Sequence, residues 1–362
     1  MKPIRSTPTA PAPAPSSRES SAGSPSLPGR RTALVAGSVA LGALLTGALL
    51  RRLRRRGLEA PQSVPLALDA ETGELELMEG RVRFYRRAGE GVPIVLLHSI
   101  NAAASSFEMQ PFFEHFARRT TRPIFAMDWL GFGRSERPPV RYTPALYERQ
   151  LRRFLSEHVH EPSDLVALSL GSEFAAAVAH TLPYLVRRLV LVCPTGLSRT
   201  EGGTDLRTAT IRLTDAAGFF ELFFDRLTRP DSLRRFYQRQ VFRDTERVPE
   251  ALIRYACATS QVHGAHHAPR FFVEGTLFSH ASARHAYANL RLPTLILTPE
   301  APQGLVQDFE LLPDVLARNP AYLRPATVPA GLLPQWEAPD ATFELTNDFL
   351  LAERTPAEAF VR

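Results

Sequence analysis

The chain opens without any hydrophobic period. Residues 1–31 are dominated by Pro, Ser and Ala, a composition that cannot bury a core, and they read as a disordered segment. Residues 32–50 then run nineteen positions without a charge, near the length that crosses a bilayer's hydrocarbon layer, and predict an N-terminal transmembrane helix. A basic linker over 51–66 separates it from a different pattern. Glu74–Leu77 and Val82–Tyr85 alternate apolar and polar positions with period two, predicting a hairpin turned at Glu79–Gly80. Val92–Leu97 is continuously apolar, as strands buried on both faces are. A second apolar run, Leu165–Leu168, stops abruptly at Ser169, and an alanine-rich helical pattern follows from Phe174 to Ala179. Strands of this kind alternating with helical segments predict a parallel sheet with helices on both faces. Residues of about 200–288 interrupt the alternation, with an apolar cluster at Phe219, Phe220, Leu222, Phe223 and Phe224. The globular domain is set at 67–352, and 353–362 reads as a tail.

Charge changes the picture at one place. The net charge of +6 is carried largely by Arg51, Arg52, Arg54, Arg55 and Arg56, directly after the apolar segment. That placement points to a membrane surface rather than to nucleic acid. The positive-inside rule then sets the domain on the cytoplasmic side of a single-pass anchor. Arg30-Arg31-Thr32-Ala33-Leu34 leaves an alternative open, since it is similar to a twin-arginine export signal. The two cysteines, Cys193 and Cys257, have neither metal-site nor disulfide-framework spacing. No cofactor or metal is expected.

The candidate chemistry centres on Ser169. A strand that ends in a sharp turn, with small residues two before and two after (Ala167 and Gly171), followed at once by a helix, is the setting of a nucleophile elbow. The helix start would aim N–H groups at whatever the serine attacks. The alternative is a serine capping an ordinary helix.

Over roughly residues 70–352 the sequence resembles the α/β-hydrolase superfamily. Pro93–His98 is similar to its third strand, with His98-Ser99 where the family has His-Gly. Asp128-Trp129-Leu130-Gly131-Phe132-Gly133-Arg134-Ser135 matches its D-x-x-G-x-G-x-S segment. Arg188–Pro194 and Pro293–Leu297 look like its sixth and seventh strands, and Pro334–Pro339 like its closing segment. The resemblance implies a mostly parallel eight-stranded sheet with a helical cap over a largely apolar pocket. It implies Ser169 as nucleophile, with the N–H groups of Leu170 and Ile100 as oxyanion hole and Asn101 as a further donor. It implies ester or thioester hydrolysis of a small apolar or acyl substrate.

The resemblance fails where the base belongs. The family's G-H-x-P-x-x-E reads Gly331-Leu332-Leu333-Pro334-Gln335-Trp336-Glu337, and no histidine follows His285. The acid position falls on Ala301 or Pro302, with Glu300 near and Asp308 farther along. A serine without a base is a poor nucleophile. Substitutes are His98, which family members use to brace the loop; Glu173, one helical turn past Ser169; and the cap histidines His263, His266 and His267. The chain is therefore expected to be either a hydrolase with a displaced or reduced triad, or a non-catalytic protein of this fold that binds an apolar ligand or a protein partner.

Overall fold

The computed structural model describes residues 63–199, 219–301 and 304–351. The segments expected to be disordered (1–31) and transmembrane (32–50), most of the basic linker, the start of the expected cap insertion, Pro302 and the expected tail all lie outside those residues. Among the described residues no helix is long and apolar enough to cross a membrane.

Eight strands form one sheet: β1 (Glu71–Leu77), β2 (Gly80–Arg87), β3 (Ile94–Leu97), β4 (Ile124–Met127), β5 (Ser163–Leu168), β6 (Val186–Val192), β7 (Thr294–Pro299) and β8 (Leu323–Val328). Their spatial order is β1-β2-β4-β3-β5-β6-β7-β8. The first two strands pair antiparallel with Leu77 opposite Gly80, so the hairpin turns on Met78-Glu79, one residue earlier than the period-two pattern suggests. β2 also meets β4 antiparallel, and every later pairing is parallel. The sequence patterns explain the two regions. In β1 and β2 one face is apolar (Leu75, Leu77, Val82, Phe84), and alternate residues reach solvent. Every residue of β3, β4, β5 and β7 is buried, which requires cover on both faces.

The cover comes from helices between the strands and after β8. They are α1 (Gln110–Arg119), α2 (Pro144–Phe154) and α3 (Gly171–Thr181), then α4 (Phe219–Leu227), α5 (Pro230–Phe236), α6 (Glu250–Ser260), α7 (His267–Glu274) and α8 (His280–Ala288). The last are α9 (Leu312–Arg318), α10 (Pro334–Glu337) and α11 (Pro339–Leu350). α1, α10 and α11 pack together, and α3 packs against both α2 and α8. Among the described residues, helices α4–α8 occupy the interval between β6 and β7, where the alternation of strand and helix breaks.

A loop at the end of β4 shows why its residues are what they are. Asp128 accepts the N–H of Ser106 at 2.8 Å and of Arg134 at 2.9 Å. Gly133 has φ +51, and a Cβ there would lie 2.0 Å from the Asp128 carboxyl carbon. Ser135 donates to the Asp128 carbonyl at 2.7 Å while accepting Arg83 N–H from β2. The segment is thus a brace between strands, set beside the end of β3.

Candidate active site

β5 ends at Leu168, and the chain turns into α3 through Ser169 and Leu170. Ser169 has φ +51, the left-handed region that non-glycine residues rarely occupy. Its N–H donates to the Val192 carbonyl of β6 at 2.8 Å, and its carbonyl accepts Ser172 N–H at 3.0 Å. Gly171 is required by close approach: a Cβ there would sit 2.6 Å from the His98 carbonyl oxygen at the end of β3. The elbow and the loop after β3 are therefore in direct backbone contact. Among the described residues, the N–H groups of Leu170 and Ile100 and the Ser169 hydroxyl have no hydrogen-bond partner.

Ser169 and Ile100 line one cavity of about 290 Å³. Its walls are mostly apolar, with Phe236, Tyr237, Val241, Phe272 and Phe278 from the cap interval and Leu332 and Leu333 from the closing segment. Polar groups in the same wall are Ser99, Asn101, Glu108, Thr195, Ser198, His280, Gln307 and Asp308. An apolar pocket with a few convergent polar groups is the usual form of a small-molecule site.

Backbone strain gathers here. Four non-glycine residues have positive φ among the described residues: His160, Ser169, Cys193 and His280. Ser169 and His280 line the cavity, and the Cys193 carbonyl is held at 2.8 Å by Gln307, which also lines it. Such strain persists only where the surroundings enforce it, and it clusters at functional sites.

His98 is fully buried and both ring nitrogens are engaged. Nε2 accepts the Trp129 N–H at 3.0 Å, so the proton resides on Nδ1, which donates to the Ser99 carbonyl at 2.6 Å. Burial pushes the imidazole down to about 4. His98 is thus a neutral brace that fixes the loop carrying Ile100. Asn101 is similarly occupied. Its Nδ2 donates to Ser99 Oγ and to Glu108 Oε1, both at 3.0 Å, and its Oδ1 accepts Ala103 N–H at 2.8 Å. Its amide holds the loop and has no donor left for an oxyanion.

Glu173 does not approach Ser169 as a base. Its carboxylate is buried and receives three donors: Thr195 Oγ1, Ser279 N–H at 2.7 Å and Ser279 Oγ at 2.6 Å. It ties the elbow helix to the loop after β6 and to the residue preceding α8. The cap histidines His263, His266 and His267 do not line the cavity. His263 is exposed, and His267 Nδ1 donates to the Arg137 carbonyl at 2.8 Å. Among the described residues no group of three or more His, Cys, Asp or Glu could hold a metal ion.

Leu332 lies in the cavity wall, 6% exposed, its N–H donating to the Val241 carbonyl at 2.7 Å. Gly331 beside it has no room for a side chain, since a Cβ would lie 2.0 Å from the same carbonyl. Glu337 closes the turn by accepting the N–H groups of Gly331, Arg243 and Asp244. Glu300 points elsewhere, pairing with Arg243 at 3.5 Å. Asp308 reaches the cavity and accepts Ser198 Oγ at 2.7 Å.

Two cavity residues carry no motif. Glu108 is buried and accepts Ser99 N–H, Ser99 Oγ and Asn101 Nδ2. Desolvation pushes its carboxyl up to about 7 despite these donors. His280 opens α8 with its ring stacked on Phe278, centroids 5.3 Å apart and planes 6° apart. Its Nε2 is buried without a hydrogen-bond partner among the described residues.

This sheet order, this elbow and a cap inserted between β6 and β7 define the α/β-hydrolase fold. The sequence profile of the alpha/beta hydrolase family matches residues 94–345, and the chain belongs to that family. Curated relatives include an uncharacterized protein of Mycobacterium tuberculosis, 33% identical over 128 residues, which are 35% of this chain and 36% of that one. A 2-hydroxymuconate semialdehyde hydrolase of Pseudomonas putida is 33% identical over 142 residues, 39% of this chain and 48% of that one. The chain thus spans between a third and a half of the length of these two relatives. Among solved structures, the enol-lactonase from Burkholderia xenovorans shares the fold, with a TM-score of 0.60 at 15% identity over 77% of this chain and 100% of that one.

Proposed function

We propose that this chain hydrolyses a small apolar ester or thioester by attack of Ser169 on the acyl carbon. The observation that carries this reading is the placing of Ser169: a left-handed backbone at the β5–α3 junction, on an apolar cavity of about 290 Å³. The unpartnered N–H groups of Ile100 and Leu170 supply the rest. They are the donors an oxyanion needs, and a single such donor is worth about 10²–10³ in kcat in a serine protease. The cavity volume suits a short acyl group rather than a long chain. The hydrolase relatives support a hydrolytic reaction.

A second reading has its own support. Leu332 stands in the cavity wall where the family's motif has its histidine, and the Ser169 hydroxyl has no acceptor among the described residues. A protein that binds an apolar ligand without turning it over would have this arrangement. Labelling with a fluorophosphonate, together with turnover of p-nitrophenyl butyrate, separates the two. Labelling and turnover that vanish in Ser169→Ala support the hydrolase. Ligand binding with neither signal in the wild type supports the binder.

We also propose that residues 32–50 anchor the chain in a membrane, with the arginines of 51–56 on the cytoplasmic side. This rests on the apolar run and its flanking charge.

A further inference from the structure

A serine hydrolase needs a proton acceptor, and the cavity walls allow each candidate to be examined in turn. Leucine at 332 has no lone pair to offer. Both nitrogens of His98 are engaged by Trp129 and Ser99. The Glu108 oxygens already receive three donors from the oxyanion loop. Asp308 accepts from Ser198. His280 remains. Its Nε2 is buried in a wall it shares with Ser169, and it has no hydrogen-bond partner among the described residues. A buried nitrogen with nothing to bond is costly and calls for an explanation, of which a catalytic role is one.

We infer that His280, delivered by the cap, is the proton acceptor for Ser169. The inference rests on the reading of Ser169 as nucleophile. Two contacts set the imidazole in place. The ring lies flat on Phe278, and Ser279 is clamped to the elbow helix by two hydrogen bonds to Glu173. The same carboxylate therefore positions the residue beside the base and belongs to the helix that begins at the nucleophile. Glu173 acts as a positioning residue.

The reaction balances with water as the co-reactant. His280 Nε2 takes the Ser169 proton as Oγ bonds to the acyl carbon. The carbonyl electron pair moves to oxygen, against the N–H groups of Ile100 and Leu170. On collapse the bond to the leaving alcohol or thiol breaks, and His280 returns the proton to it. Water then attacks the acyl-serine and gives its proton to His280. The Oγ–carbon bond breaks, Ser169 regains a proton, and the carboxylic acid departs.

The test uses the full chain in detergent with p-nitrophenyl butyrate. His280→Gln is expected to lower kcat by about 10²–10⁴-fold with KM nearly unchanged, the span of general-base catalysis. His280→Ala regains part of that rate on adding free imidazole, which a merely structural role would not allow. Thermal unfolding checks that both variants fold. His263→Gln, exposed on the same cap, keeps the wild-type rate. If Ser169→Ala abolishes turnover while His280→Gln stays within threefold of wild type, the inference falls and the reading of Ser169 stands. A collapse in Glu108→Gln with His280→Gln unaffected has the same meaning and moves the base to Glu108. If Ser169→Ala leaves turnover intact, both fall.

Discussion

Glu173 and Ser279 lie 106 residues apart, yet the carboxylate receives both the backbone N–H and the hydroxyl of the serine, at 2.7 and 2.6 Å. With Thr195 as a third donor, one buried side chain joins the elbow helix, the loop after β6 and the cap. Glu173→Ala leaves those part-buried donors without an acceptor, at a cost of up to about 1–3 kcal/mol for each group left unsatisfied. We expect Glu173→Ala to lower the melting temperature by several degrees and to make α8 more open to proteolysis. Equal melting and equal cleavage of wild type and variant would show that the clamp carries no weight.

Gly171 tests the contact between elbow and oxyanion loop. A methyl group there would meet the His98 carbonyl, which is backbone and cannot swing aside. Gly171→Ala is expected to destabilise by about 1–3 kcal/mol, the cost of overpacking a dense site, and to abolish fluorophosphonate labelling. Ala167→Gly keeps a small residue at the elbow and adds no atoms. It should lose no more than about 1 kcal/mol, from the extra freedom of glycine in a strand. Urea denaturation of both variants checks the contrast, and a fully active Gly171→Ala would refute it.

Two buried groups give opposed pH dependences. Burial lowers the His98 imidazole to about 4, so the fold prefers it neutral. Its contribution is present above about 6.5 and is lost as pH falls through 4. Burial raises the Glu108 carboxyl to about 7, so the fold prefers it protonated. Its contribution is present below about 4.5 and is lost as pH rises through 7. Each is worth at most about 3 kcal/mol, at 1.36 kcal/mol per pKa unit, and between pH 6.5 and 4.5 they act against each other. Glu108→Gln removes the opposing half. The variant should lose stability on acidification from pH 7 to 4.5 more steeply than wild type, by up to about 3 kcal/mol, in urea unfolding at fixed pH. Parallel curves would remove the assignment.

The anchor is tested by topology. The proposed anchor, an uncharged run over residues 32–50 followed by five arginines, implies that the C-terminal tail is shielded in intact cells. A tag fused after Arg362 should resist external protease and be digested once the membrane is permeabilised. Digestion from outside would reverse the orientation and favour export through the twin-arginine-like segment.

What the sequence conveys about this molecule divides along physical lines. Ser169 and Gly171 stand out because strand-end turns have local rules: an apolar run, small neighbours and a helix start within a few residues; Ile100 is implied only by the family resemblance. The fold is legible for the same reason, since β3 and the Leu165–Leu168 part of β5 are continuous apolar runs that only a two-sided sheet can bury. His280 is not legible. Phe278-Ser279-His280 has no periodicity or motif, and it reaches the cavity through a tertiary bond to Glu173. Glu108 is equally silent, because its role comes from desolvation beside a loop nine residues earlier. Glu173 and Asn101 carry the right chemistry in sequence, but the structure engages them elsewhere. Candidates can be nominated by residue type, but which of their atoms remain available depends on packing.

Leu332 offers the last test. Its side chain is 6% exposed in the cavity wall and its backbone is held by Val241, so Leu332→His should place an imidazole in the cavity without moving the chain. The substitution buries a polar ring and is expected to cost about 1–3 kcal/mol. Its catalytic effect depends on an acid to select the tautomer and stabilise the imidazolium; in a serine protease, losing that function costs about 10⁴ in kcat. Glu300 faces Arg243 and Ala301 has no carboxylate, so no acid stands at the family's position. In a His280→Gln background, Leu332→His alone should therefore recover less than about tenfold in kcat/KM, and Leu332→His with Ala301→Asp should recover distinctly more. Hydrolysis of p-nitrophenyl butyrate by the three variants decides it. Full recovery by Leu332→His alone would mean that Asp308, already in the cavity wall, serves as the acid.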